Sequence, residues 1–170
     1  FIHGGYWQMR AKETFTFAST GPLAHGINVA HVGYTLAPEV MLDDMAAEIR
    51  AALEFLGGEL PQHGLSGEAV WLSGWSAGAH LAAMVLGQVP VRGALLISGL
   101  YDLEPIRHTY VNDALGLDEE GARRNSPIHR VPATSPPVMP IRRWRAGAWA
   151  GRRVTTWPAC APTAGAGNPT

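Results

Sequence analysis

Apolar residues recur at helical intervals between residues 42 and 56, and the acidic residues of this segment, Asp43, Asp44, Glu48 and Glu54, lie at other positions. This spacing predicts an amphipathic helix with one apolar stripe. The stripe is made of Leu42, Met45, Ile49, Leu53 and Leu56. Adjacent glycines at 57 and 58 predict the end of the helix, because glycine commonly terminates helices.

Three other segments, at residues 27–34, 69–73 and 91–98, are almost continuously apolar. Runs of this kind are typical of strands that are buried on both faces. A helix-like segment at 77–86 follows the second run, and residues 1–3 have the pattern of the end of a further strand. Strands that alternate with helices predict an α/β fold with a mostly parallel sheet covered on both faces.

Charge changes abruptly near residue 140. All 14 acidic residues lie before that point, whereas residues 141–170 carry five arginines and no acid. The latter segment also has no helical or strand period, so we do not expect it to bury an ordered apolar face. We therefore divide the chain into a partial domain at 1–140 and an Arg/Ala/Gly/Pro/Trp-rich tail at 141–170. We interpret the tail as disordered or as the product of a frameshift in a GC-rich gene.

Overall composition narrows the function class. The net charge is −1, which gives no electrostatic reason to expect nucleic acid or an anionic membrane as a partner. Cys160 is the only cysteine, and no histidine pair has metal-site spacing. We expect a cytoplasmic protein that acts on a small molecule without a metal or cofactor.

A G-x-S-x-G motif, Gly74-Trp75-Ser76-Ala77-Gly78, lies between the second apolar run and the helix-like segment. At such a junction a sharp strand-to-helix turn exposes the serine hydroxyl. The following helix directs its free N–H groups at the same point. The sequence therefore predicts that Ser76 is a nucleophile rather than a turn serine.

A second motif, His3-Gly4-Gly5-Tyr6-Trp7, follows the strand-like residues at 1–3. Adjacent glycines let a loop direct its N–H groups toward a ligand without interference from Cβ atoms. In a serine hydrolase such donors, together with the N–H of the residue after the nucleophile, would hold the oxyanion of the tetrahedral intermediate. The alternative interpretation of this motif is an ordinary Gly-Gly turn that binds no ligand.

These two motifs, with GYTLAPE at 33–39 and SGLYDLEP at 98–105, occur in the order and spacing of the α/β-hydrolase superfamily. Over residues 1–139 the chain most resembles the arylformamidase (kynurenine formamidase) group and its esterase relatives. The resemblance implies a three-layer α/β-hydrolase fold that would need further strands at both ends of this sequence. It implies hydrolysis of a small aromatic formamide of the N-formylkynurenine type, as in tryptophan catabolism, with small carboxylic esters as the alternative.

The resemblance also implies roles for individual residues. Ser76 matches the nucleophile, and His3 matches a position that braces the oxyanion loop. The oxyanion donors would be the amides of Gly4, Gly5, Tyr6 and Ala77. A wall for flat substrates would consist of Trp7, Trp75 and Tyr101, although packing in the core accounts for these aromatic residues equally well.

The sequence departs from the family pattern in its final part. In the family an acid and then a histidine follow the serine, beyond residue 140 of this chain, yet no acid follows Glu120 and no histidine follows His129. The string at 141–147 cannot form the next central strand because it would bury three unpaired arginines.

Two earlier residues could be considered as substitutes. Asp102 follows a predicted strand, but the relatives place their acid after the next strand. His80 lies four residues after Ser76, where a packing role is the more economical interpretation. The triad acid and histidine are therefore not found, and a non-catalytic remnant of a hydrolase is a second hypothesis.

Overall fold

The computed structural model describes residues 1–65 and 70–130, together with the backbone of 138–140. Its sheet consists of three parallel strands in the order β1 (Trp71–Trp75), β2 (Gly93–Ile97) and β3 (Val138–Pro140). β1 overlaps the apolar run at 69–73 and extends two residues beyond it, and β2 lies within the run at 91–98. Parallel pairing confirms the predicted α/β arrangement, because parallel strands require crossover connections that here contain a helix.

The other edge of β1 is extended by single bridges. Ile2 bridges Gly74 of β1 on one side and Val32 on the other, both in parallel. The predicted strand at 27–34 is otherwise wrong, since only Val32 pairs and Ile27 is 57% exposed. The segment at 27–34 pairs only at Ile2, because the chain after Ile2 soon turns away at Gly4 and Gly5.

The described ranges contain five α-helices, of which the third packs directly on the sheet. They are α1 (Thr20–Ala24), α2 (Leu42–Glu59), α3 (Ala77–Val85), α4 (Asn112–Leu115) and α5 (Glu119–Arg124). Short 3-10 helices lie at Lys12–Ser19, Leu60–His63, Glu104–His108 and Pro127–His129.

Helix α3 is the centre of the core. All nine of its residues are buried, because it packs against β1 and β2 on one side and against α2 on another. Leu42, Met45 and Ile49 of the predicted stripe on α2 are buried in the same cluster. Because every residue of α3 is buried, the helix has no solvent-exposed face, and its sequence therefore contains few polar residues.

The predicted end of α2 at residues 57–58 is wrong. The helix runs through both glycines to Glu59 and continues as the 3-10 helix at Leu60–His63. The chain leaves the helical conformation at Gly64, which has φ 70° and ends the helix in the left-handed region. A glycine inside a helix costs about 1 kcal/mol, which the helix tolerates because its first half is anchored in the core.

The strand after β2 begins earlier than the sequence suggested. Val138 pairs with Ala94 and Pro140 with Leu96, so the paired residues precede the arginine-rich string at 141–147. A terminal proline is compatible with a strand end, where its missing N–H is tolerated. The tail at 141–170 lies outside the described residues. Among the helices that are described, none is long and apolar enough to cross a membrane.

Candidate active site

Ser76 occupies a sharp turn between β1 and α3. Its backbone has φ 54° and ψ −116°, a conformation that non-glycine residues rarely adopt. The amide of Ser76 donates to the carbonyl of Ile97 at 2.8 Å, and its own carbonyl accepts from the amide of His80 at 3.0 Å. Strained backbone held in place by its surroundings is characteristic of functional sites.

The two glycines of the motif allow strand and helix to approach closely. A Cβ atom added at Gly74 would lie 2.4 Å from the carbonyl oxygen of Gly78. One added at Gly78 would lie 2.2 Å from the carbonyl oxygen of Ile2. Both distances are shorter than any real Cβ contact, so the turn that presents Ser76 requires glycine at these positions.

The loop at residues 4–7 lies directly against this turn. A Cβ atom added at Gly4 would lie 2.7 Å from the carbonyl oxygen of Trp75 and 3.3 Å from the Cβ atom of Ser76. The next three residues all have positive φ, at 130° for Gly5, 53° for Tyr6 and 61° for Trp7. The predicted oxyanion loop is thus next to the predicted nucleophile.

Backbone N–H groups near Ser76 are available to a ligand. Among the described residues, no oxygen accepts a hydrogen bond from the amides of Gly4, Gly5, Tyr6 or Ala77. Ala77 is the first residue of α3, where the helix leaves its N–H groups unpaired and the dipole is positive. The unpaired amides therefore lie in the loop beside Ser76 and at the start of the helix that follows it.

The side chain of His3 packs against the loop at residues 4–7 and bonds to its first residue. Its ring is buried, stacks on Tyr34 with centroids 4.4 Å apart, and donates from Nδ1 to the carbonyl of Gly4 at 2.9 Å. The hydroxyl of Tyr34 donates to the carbonyl of His3 at 3.1 Å. Burial lowers the pKa of His3 below its usual value, so the ring is neutral at pH 7 and has a bracing position.

His80 is enclosed and has both ring nitrogens engaged. Nδ1 accepts a hydrogen bond from Nε1 of Trp7 at 3.1 Å, and Nε2 donates to the carbonyl of Asn125 at 2.7 Å. Burial lowers the pKa of His80 to about 4. A general base needs a free nitrogen within reach of the serine, and this geometry instead gives His80 a role in the core.

The three aromatic candidates for a substrate wall differ in their positions. Trp7 has no exposed surface and packs edge-to-face with His80. It is therefore part of the core and not of a substrate wall. Trp75, beside the nucleophile, is 43% exposed and contacts Phe15. Tyr101 is partly buried over Gly99.

Asp102 has a local structural contact. Its Oδ1 accepts a hydrogen bond from the amide of Glu104 at 3.0 Å, which closes a local turn just before the 3-10 helix at Glu104–His108. The residue is exposed. This turn contact accounts for an aspartate at position 102 without a catalytic function.

Sequence reasoning missed Asn125, the residue that orients His80. Asn125 is buried, and its side chain donates to Asp43 Oδ2 at 3.2 Å and to the carbonyl of Gly121 at 3.0 Å. Arg124 pairs with Asp43 at 2.9 Å on the outer side. Asn125 is 45 residues from His80 along the chain, and no local pattern indicates a contact over that separation.

Comparison with known proteins agrees with this geometry. The family model BD-FAE matches residues 1–89, which contain both the loop at 4–7 and the turn at Ser76. The chain belongs to the BD-FAE family. Its fold is also that of solved esterases: it matches carboxyl esterase 2 from Tuber melanosporum with a TM-score of 0.72 and 19% identity, over 82% of this chain and 55% of that one.

Curated relatives of this BD-FAE member include two fish enzymes. The chain is 43% identical to kynurenine formamidase from Salmo salar over 78% of its own length and 46% of the relative. It is 41% identical to kynurenine formamidase from Danio rerio over 75% of its length and 45% of the relative. The chain thus spans about half the length of the curated relatives it matches, and the resemblance to an α/β-hydrolase is confirmed.

Proposed function

We propose that this protein is a serine hydrolase in which Ser76 is the nucleophile. The observation that carries the proposal is the strained turn at Ser76 placed against a loop with unpaired amides. The hydroxyl oxygen of Ser76 attacks a carbonyl carbon, and its proton passes to a general base, which the described residues do not place beside Ser76; the base then gives this proton to the leaving group as it departs. The carbonyl oxygen becomes an oxyanion held by donors among the amides of Gly4, Gly5, Tyr6 and Ala77. Collapse expels the leaving group, and water then releases the acyl group.

The substrate we propose is a small aromatic formamide of the N-formylkynurenine type. Support comes from the two relatives called kynurenine formamidase, both above 40% identity. Trp75, exposed beside Ser76, offers a flat apolar surface to an aromatic ring. A formamide would transfer a formyl group to the serine, which water would release as formate.

A small carboxylic ester is the second candidate, because an ester presents the same carbonyl group to the same donors. A hydrolase relative without catalytic activity is the third candidate, since no acid follows Glu120 and no histidine follows His129 among these 170 residues. Removing triad members lowers turnover by several orders of magnitude.

One set of kinetic measurements separates the three. We would compare kcat/KM on N-formylkynurenine and on p-nitrophenyl acetate, with Ser76→Ala as the matched control. Formamidase function predicts a higher kcat/KM for the formamide, and loss of turnover in the control. A large preference for the ester would replace the formamide proposal, and turnover no higher than that of the control on either substrate would support the candidate without catalytic activity.

A further inference from the structure

We propose that His80 is a positioning residue for the oxyanion loop, which it holds in place through the indole of Trp7. The inference rests on the proposed function, since it assigns a role in that same site. It follows from the backbone of the loop, the burial of Trp7 and the hydrogen bonds of His80.

The loop needs an anchor because its backbone is strained. Tyr6 and Trp7 both have positive φ, which is unfavourable for residues that carry a Cβ atom. Tyr6 is 47% exposed and is therefore a weak support. Trp7 has no exposed surface, and its carbonyl accepts from the amide of Ala37 at 2.8 Å. Trp7 is the residue that fixes the C-terminal end of the loop.

The indole of Trp7 is oriented by its single polar atom. A buried indole N–H normally requires an acceptor, and here Nε1 donates to Nδ1 of His80 at 3.1 Å. The rings meet edge-to-face at 90° with centroids 5.1 Å apart. Rotation of Trp7 would break this bond and leave two polar atoms buried without partners.

His80 can accept this bond only in one tautomer. A carbonyl oxygen cannot donate, so the 2.7 Å contact between Nε2 and the carbonyl of Asn125 places the ring proton on Nε2 and leaves Nδ1 free to accept. Asn125 is itself held by Gly121 and Asp43. The contacts form one path from α2 and α5 to the loop.

The same helix carries both parts of the site. His80 lies on α3 one turn after Ser76, and its amide donates to the carbonyl of Ser76. A bond from its side chain to Trp7 therefore links the loop to the helix that fixes the nucleophile. This placement sets the distance between the serine oxygen and the amides of Gly5 and Tyr6, on which oxyanion stabilisation depends.

Two substitutions of similar size separate positioning from packing. His80→Asn keeps an acceptor oxygen near the position of Nδ1, whereas His80→Leu removes it and retains apolar bulk. Positioning predicts that His80→Leu lowers kcat roughly tenfold or more with little change in KM, because a displaced donor weakens only the transition state. It also predicts that His80→Asn recovers much of this loss. A packing role predicts the opposite order, with leucine the better replacement in an apolar core.

A readout independent of turnover makes the test decisive. We would follow the backbone amide resonances of Gly5 and Tyr6 and the indole resonance of Trp7 by NMR, in the wild-type chain and in both variants. Trp7→Phe removes the N–H donor together with part of the buried ring and keeps an aromatic side chain, and it provides a second variant should the His80 variants fold poorly.

The outcomes for His80 and for the proposed function can be told apart. Displacement of the Gly5 and Tyr6 amides by His80→Leu and by Trp7→Phe, but less by His80→Asn, supports positioning even if the wild-type chain hydrolyses neither N-formylkynurenine nor p-nitrophenyl acetate. That absence of hydrolysis would overturn only the proposed function. Unmoved loop amides, or equal kcat in an active wild type and His80→Leu, would overturn the role of His80.

Discussion

Gly78→Ala tests whether the turn at Ser76 depends on close backbone approach. Gly78 is inside α3, where alanine is favoured over glycine by about 1 kcal/mol from helix propensity alone. The added Cβ atom, however, would lie 2.2 Å from the carbonyl oxygen of Ile2 and 2.4 Å from that of His3. Ordinary contact begins near 3.4 Å, so helix and strand would have to separate by about 1 Å. Overpacking of this kind costs about 1–3 kcal/mol or more, and because the obstacle is backbone we expect a net loss of about 2 kcal/mol.

The matched control is Gly57→Ala in α2. Gly57 is also inside a helix, but nothing lies within 4 Å of its added Cβ atom. We expect a gain of up to about 1 kcal/mol there. Urea unfolding followed by circular dichroism gives both changes as shifts of the midpoint at constant m-value. Equal stabilisation by the two substitutions would refute the argument that Gly78 is required by steric contact.

Three further predictions concern the site. Because the backbone at Ser76 is strained, Ser76→Gly should unfold at higher urea than Ser76→Ala, by about 1 kcal/mol; equal stability would contradict the strain. The pKa of His80 is about 4 in the folded protein and about 6.5 when unfolded, so the unfolded chain takes up the proton first. The contribution of His80 to the free energy of unfolding should therefore be complete above pH 6.5 and fall by up to about 3 kcal/mol as the pH drops through 4. Urea midpoints compared across pH should show a smaller fall in His80→Leu than in the wild type. An identical fall in the two proteins would show that His80 does not cause the loss of stability. Asp102→Asn should leave kcat/KM within severalfold of wild type, because Asp102 is exposed and its carboxylate only accepts a local hydrogen bond from the amide of Glu104, whereas a loss near 10⁴-fold would mark it as the triad acid.

The elements that the sequence predicted well are those whose apolar pattern matches their burial. The segment that forms α3 is almost wholly apolar, and its nine residues are all buried. The strand pattern at 27–34 was equally apolar and still misled, because a strand also needs a partner, and only Val32 meets one. The glycines at 57–58 misled for a related reason, since local propensity was outweighed by the buried first half of α2.

In the candidate site, too, the sequence predicted the local features and missed the long-range contacts. Ser76 and the glycine loop could be read from motifs, because each motif encodes a local turn. The link from Trp7 through His80 to Asn125 could not, because its members are 73 and 45 residues apart. The sequence also left Trp7 open between a substrate wall and the core, a question decided by three-dimensional packing.

Covalent labelling of Ser76 tests the central claim most directly. The purified protein would be treated with a fluorophosphonate, and the modified peptide would be identified by mass spectrometry in the wild type and in Ser76→Ala. A reactive serine supported by oxyanion donors predicts one adduct, on Ser76, that is absent from the variant. A folded wild-type protein without an adduct on Ser76, or labelling that is unchanged by Ser76→Ala, would contradict the assignment of Ser76 as the nucleophile.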